Sequence, residues 1–112
     1  MANLNIKRIE RDIEKNVPII IQRETNDELL KQITITGCKL TKDMGFCKVY
    51  FTSISSLDHS ELEKQVNEAS HFIRGKLAKV MEIRNTPELR FVYDSSLEYG
   101  EKIESIIDNL HK

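Results

Sequence analysis

The chain has 112 residues, room for one domain around one modest core. Apolar residues make up 39% and charged residues 31%, which fits a soluble globular protein and excludes a disordered tail protein. The net charge of −1 gives no overall pull toward nucleic acid, and no apolar run is long enough for a membrane span.

The first predicted element is an amphipathic helix, because Ile6, Ile9, Ile13, Val17 and Ile20 step by three and four residues. Asn5 is its candidate cap, and Thr25-Asn26-Asp27 should end it. Pro18 removes the hydrogen bond to the Glu14 carbonyl and should kink it. In "QITITGCKL", Ile33 and Ile35 share a face, and after Gly37 the apolar parity shifts to Cys38 and Leu40, the mark of a β-bulge. "GFCKVYFT" alternates Cys47, Val49 and Phe51 with Lys48, Tyr50 and Thr52, and "TKDMG" joins the two strands as a hairpin.

"SSLDHSE" offers capping residues for a helix that buries Leu62, Val66 and Ala69. In "EASHFIRGKLAKV", Ala69, Ile73, Leu77 and Val80 keep helical spacing, so periodicity permits one long helix or two. "NTPELRFVYD" reads as a strand with Pro87 at its mouth and Leu89, Phe91 and Tyr93 facing inward. Ser95 or Ser96 caps a last amphipathic helix carrying Ile103, Ile106, Ile107 and Leu110, with Glu98 and Glu101 where the helix dipole favours them. The order is helix, strand, strand, helix, helix, strand, helix, which makes residues 1–112 one small α+β domain.

Catalytic signals are sparse. His59, His71 and His111 each stand without a partner at metal-binding spacing. Cys38 and Cys47 lack C-x-x-C spacing and read as small apolar fillers in a reduced compartment, neither bridged nor metal-bound. A Cys47–His71 dyad has no local support, and neither phosphate-binding glycine motif is present. The expected class is a binding protein without cofactor or metal. With charge alternating with isoleucine from Lys7 onward, unlike a signal peptide, the expected location is cytoplasmic.

Charge distribution says more than the sum. From Phe72 to Arg90 the basic residues Arg74, Lys76, Lys79, Arg84 and Arg90 outnumber Glu82 and Glu88, and beyond Phe91 the balance turns acidic. Phe72, Lys76 and Lys79 share one helix face, an aromatic and two ammonium groups that could stack on a base and neutralise phosphates. The bland reading, which spacing alone puts first, has Phe72 in the core and the lysines at its solvated edge. Arg74 lies on the far side of that helix, while Arg84 and Arg90 flank Pro87 and extend the patch. Lys39, Lys42 and Lys48 on the hairpin form a second candidate patch, although hairpin lysines also block edge pairing.

"GKLAKVMEIRNTPELRFVYDSS", Gly75 to Ser96, resembles the signature of the ribosome-binding factor A family. The matching positions are Leu77, Met81, Ile83, Arg84, Pro87, Glu88, Leu89 and Phe91, followed by Asp94 and Ser96. "IQRE", "KVYFT" and "EAS-FIR" extend the similarity over nearly the whole chain. The resemblance implies a single type-II KH-like domain, α-β-β-α-kink-α-β, plus a C-terminal helix. It also implies a monomeric, cytoplasmic, non-enzymatic factor for ribosome biogenesis in cold adaptation. Such a factor binds the free small (30S) subunit and 16S rRNA, aids late maturation including 16S rRNA 5′-end processing, and is released with help from a ribosome-assembly GTPase. The family's Ala-x-Gly interhelical kink falls on Ala69, Ser70 and His71, with histidine in place of glycine. The resemblance therefore favours two helices, and the Ser70 hydroxyl is a candidate cap for Phe72 or Ile73. The competing expectation is a protein-interaction module without an RNA role, using the acidic tail or the hairpin edge.

Overall fold

The computed structural model describes residues 2–96 except 82 and 84, with side chains from residue 5 onward. Arg84 and the expected C-terminal helix with Ile103, Ile106, Ile107 and Leu110 lie outside the described residues. The elements are α1 (Ala2–Glu24), α2 (Glu28–Lys31), β1 (Ile33–Leu40), β2 (Phe46–Ser53), α3 (His59–Glu68), α4 (Ser70–Met81) and β3 (Glu88–Tyr93).

The isoleucine stripe of α1 buries Ile13, Val17, Ile20 and Ile21, and packs Ile6 and Ile9 against the same core. Asn5 is not its cap, since the helix already includes Ala2. Pro18 removes one backbone donor, yet α1 runs on to Glu24. At its end the Thr25 hydroxyl donates to the Ile21 carbonyl (2.7 Å), satisfying an acceptor the helix leaves open. Asp27 does more than end α1. Its carboxylate accepts from the Leu29 (2.9 Å) and Leu30 (3.3 Å) amides, starting the unanticipated α2 and seating Leu30 in the core.

β1 and β2 pair antiparallel, with the register shifting between Ile35 and Gly37. Thr36 is thus the extra residue of a bulge, which lets Ile33, Ile35, Cys38 and Leu40 all serve one face. The turn holds Met44 at φ 61°, unusual without glycine; the Met44 amide donates to the Thr41 carbonyl (2.9 Å), and Asp43 accepts from the Thr41 hydroxyl (2.6 Å) and the Gly45 amide (3.0 Å). After the α3–α4 crossover, β3 returns parallel to β2, so the sheet order among the described residues is β1-β2-β3. α1 covers β1, while α3 and α4 cover β3. Cys47, Val49, Phe51, Leu89 and Phe91 are buried beneath these helices.

α3 and α4 are separate helices with Ala69 between them. Ala69 has φ −91° and ψ −3°; its amide donates to the Val66 carbonyl (3.1 Å) and its carbonyl accepts from the Ile73 amide (3.0 Å). Among the described residues only Met44 has positive φ outside glycine, so the break needs no left-handed residue and His71 fits without strain. Ser70 is the first residue of α4, and among the described residues its hydroxyl makes no hydrogen bond; the Ala69 backbone takes the place expected of a serine cap. On α4 only Ile73 and Leu77 are buried, and Val80 points out at 53% exposure.

Candidate nucleic-acid interface

On α4, Phe72 is 46% exposed and not in the core. The Lys76 ammonium lies 5.5 Å from its ring centroid, a cation–π contact one turn apart. The same ammonium is 3.6 Å from a carboxylate oxygen of Glu24, at the end of α1. Lys76 is therefore engaged from two sides, while Lys79 is exposed and without a partner among the described residues. Arg74 turns away, as its place on the helix requires. Its Nε (3.1 Å) and Nη2 (2.8 Å) both donate to the Thr86 carbonyl, which ties down the connection ahead of the buried Pro87.

The face of the sheet away from the helices carries a different arrangement. Lys39 pairs with Lys48, and Lys48 pairs with Arg90, so three exposed cations form one row across all three strands. Arg90 thus joins the hairpin lysines and not the α4 stripe. Lys42 is exposed in the connecting turn. The side chains of Lys39, Lys42, Lys48 and Arg90 make no hydrogen bond or ion pair among the described residues. The next row is Gly37, Tyr50 and Val92. At the far end Asp94 accepts from the bulge hydroxyl of Thr36 (2.6 Å) and from the Ser96 amide (3.0 Å). Hydrogen bonding by Ser96 and then by Thr36 holds its carboxyl below the ordinary carboxylate value.

Helix side chains bond to the outer backbone groups of β3 and to one amide of β1. On β3, Asn67 of α3 donates to the Phe91 carbonyl and accepts from the Phe91 amide, each at 2.8 Å, and Glu63 accepts from the Tyr93 amide (2.9 Å). On β1, the Glu10 carboxylate accepts from the Leu40 amide (2.7 Å). At β3 this occupies the Phe91 amide and carbonyl and the Tyr93 amide, and at β1 the Leu40 amide. Cys38 and Cys47 both face the helices; Cys47 is buried, and the Cys38 thiol donates to the Glu10 carbonyl (3.0 Å). Contact with Cys47, burial and the nearby Glu10 and Glu14 carboxylates raise the Cys38 pKa above the ordinary thiol value. Among the described residues no group of three or more His, Cys, Asp or Glu side chains could hold a metal ion, and no helix is long and apolar enough to cross a membrane.

The family model of ribosome-binding factor A matches residues 5–107. The chain belongs to the ribosome-binding factor A family. The Staphylococcus carnosus ribosome-binding factor A is 35% identical over 113 residues, covering 100% of this chain and 98% of that one. The crystal structure of the Thermus thermophilus factor shares the fold, with a TM-score of 0.69 at 20% identity, over 79% of this chain and 94% of that one. A homology model of the Thermus factor, fitted into an electron-microscopy map of its complex with the 30S subunit, superposes with a TM-score of 0.65 at 20% identity, over 79% and 93% of the two chains. The observed α-β-β-α-α-β order, with the added α2, fits the KH-like arrangement that the family resemblance implies.

Proposed function

We propose that this chain binds the free small (30S) ribosomal subunit through its 16S rRNA and aids late maturation, including 16S rRNA 5′-end processing. It acts as a monomeric cytoplasmic binding factor, the whole of residues 1–112 forming one domain. It supplies no catalytic step, and a ribosome-assembly GTPase is the natural partner for its release. The observation that carries the reading is a row of cations, Lys39, Lys48 and Arg90, without counter-charges among the described residues, on a chain of the ribosome-binding factor A family. Lys42, Lys79 and the exposed Phe72 add further contacts; Lys76 contributes only when Glu24 releases it. Arg84 is assigned to the same role from its place beside Pro87. The helix side chains bonded along β3 speak against a module that recruits partners by strand addition at that edge.

Co-sedimentation with 30S, 50S and 70S particles over a salt series tests this reading. Selective binding to 30S that weakens steeply with salt is expected, because each phosphate contact releases counterions. Equal binding to 50S particles, or affinity indifferent to salt, would overturn it.

A further inference from the structure

We propose that the open face of the sheet is a platform for a short single-stranded RNA segment, with phosphates on the Lys39–Lys48–Arg90 row and a base stacked on Tyr50. This rests on the small-subunit reading and names the form of RNA the chain takes.

Among the described residues the row has no counter-charge. Like charges directly opposite one another on neighbouring strands repel, and here two such pairs share Lys48. Blocking of edge pairing accounts for Lys39 on β1 and Arg90 on β3, which are edge strands, but not for Lys48 on the central strand. A polyanion laid across the row relieves the repulsion. Strands sit roughly 4.8 Å apart, so the row spans roughly 10 Å.

The next row supplies the aromatic. Tyr50 is two residues along β2 from Lys48, at the centre of the face, and among the described residues its hydroxyl has no hydrogen-bond partner. Its neighbour on β1 is Gly37, where a Cβ would meet no atom of the described residues within 4 Å, so none of them fills the space beside the Tyr50 ring. Acidic groups bound the platform on both sides. Glu88 stands on β3 opposite Phe46, and Asp94 lies beyond Val92, already engaged by Thr36 and Ser96. An anionic strand is thus confined to the two middle rows. A duplex keeps its bases inside the stack, where Tyr50 cannot reach them; a single strand presents them.

The test is a heteronuclear NMR titration of the full chain with an unstructured single-stranded RNA of about ten nucleotides, and with the same strand annealed to its complement. The largest shifts are expected at Lys48, Tyr50, Arg90 and Lys39, with the single strand bound more tightly than the duplex. Tyr50→Leu, which keeps apolar volume, should weaken single-strand binding by roughly five-fold or more, whereas Tyr50→Phe should retain it. Lys48→Glu should lower the slope of log affinity against log salt by about 0.7 for each phosphate that the protein no longer neutralises. Shifts centred on Phe72 and Lys79 would overturn the proposal, as would equal binding of duplex, indifference to Tyr50→Leu, or no binding at low salt. Sedimentation of the same wild-type protein with 30S particles separates the two readings. Intact 30S binding with an α4-centred map defeats the platform alone, and absent 30S binding defeats the small-subunit reading whatever the map shows.

Discussion

Two basic surfaces of this protein have similar composition and opposite circumstances. On α4, Phe72, Lys76 and Lys79 share one face, but Lys76 is held between the Phe72 ring and the Glu24 carboxylate. On the sheet, Lys39, Lys48 and Arg90 come from distant parts of the chain, meet in register, and are left without counter-charges among the described residues. The cluster that is adjacent in sequence is partly neutralised by a carboxylate from another helix, whereas the row assembled by strand pairing is not. Cations without internal partners are the ones free to neutralise phosphate.

The largest expected effect follows from that contrast. Reversing Lys39, Lys48 and Arg90 together to Glu should abolish measurable 30S binding near physiological salt. Reversing Lys76 and Lys79 should cost at most about ten-fold and reduce the salt slope by about one unit, because only Lys79 is free to engage a phosphate in the wild type. Both variants should unfold in urea close to wild type, since exposed charges contribute little to stability. Equal binding losses in the two variants would erase the distinction between the surfaces.

A second prediction concerns what holds the sheet face in place. Asn67→Ala removes both hydrogen bonds to the Phe91 backbone at a partly buried edge, and should destabilise the fold by about 1–3 kcal/mol in urea unfolding. The folded fraction should still bind 30S particles, because Asn67 lies at the β3 edge and outside the basic row. A neutral result would mean that water replaces Asn67 without loss.

Ser70→Ala sharpens the comparison from the α4 side. With the Ala69 backbone serving the first turn of α4, the change should alter stability by less than about 0.5 kcal/mol, in either direction. A loss near 1 kcal/mol would restore the serine hydroxyl as the cap.

The smallest effect is a pH dependence at the Asp94 end of the sheet. Its folded pKa lies below the unfolded value of about 3.9, so its contribution is fully present above that value and is lost as pH falls through the folded pKa. The stability gap between wild type and Asp94→Asn should therefore shrink between about pH 5 and about pH 2. A gap that is constant over that range would mean that Thr36 and Ser96 do not favour the ionised carboxylate.

Much of the scaffold was legible because it follows local periodicity. The isoleucine stripe of α1, the parity shift at Gly37 and the alternation in β2 each appear as buried faces in the fold. Where the pattern and a special residue competed, the outcome depended on neighbours. Asn5 lies inside α1, Asp27 starts a helix of its own, and Ala69 makes the interhelical break that Ser70 was expected to cap. The candidate site was legible residue by residue but not in its grouping. Lys48 and Arg90 become neighbours only through the parallel register of β2 and β3, which no local pattern specifies. Likewise nothing near Lys76 in sequence marks Glu24, and nothing near Phe91 marks Asn67. Those contacts are set by helix packing, across which single-chain periodicity carries no information.

Lysine acylation footprinting of the protein, free and bound to 30S particles, tests most directly the claim that the sheet row and not the α4 cluster carries the contact. Strong protection of Lys39 and Lys48, weaker protection of Lys79 and an unchanged Lys76 is the predicted pattern. Protection of Lys76 and Lys79 with Lys39 and Lys48 as reactive as in the free protein would contradict it.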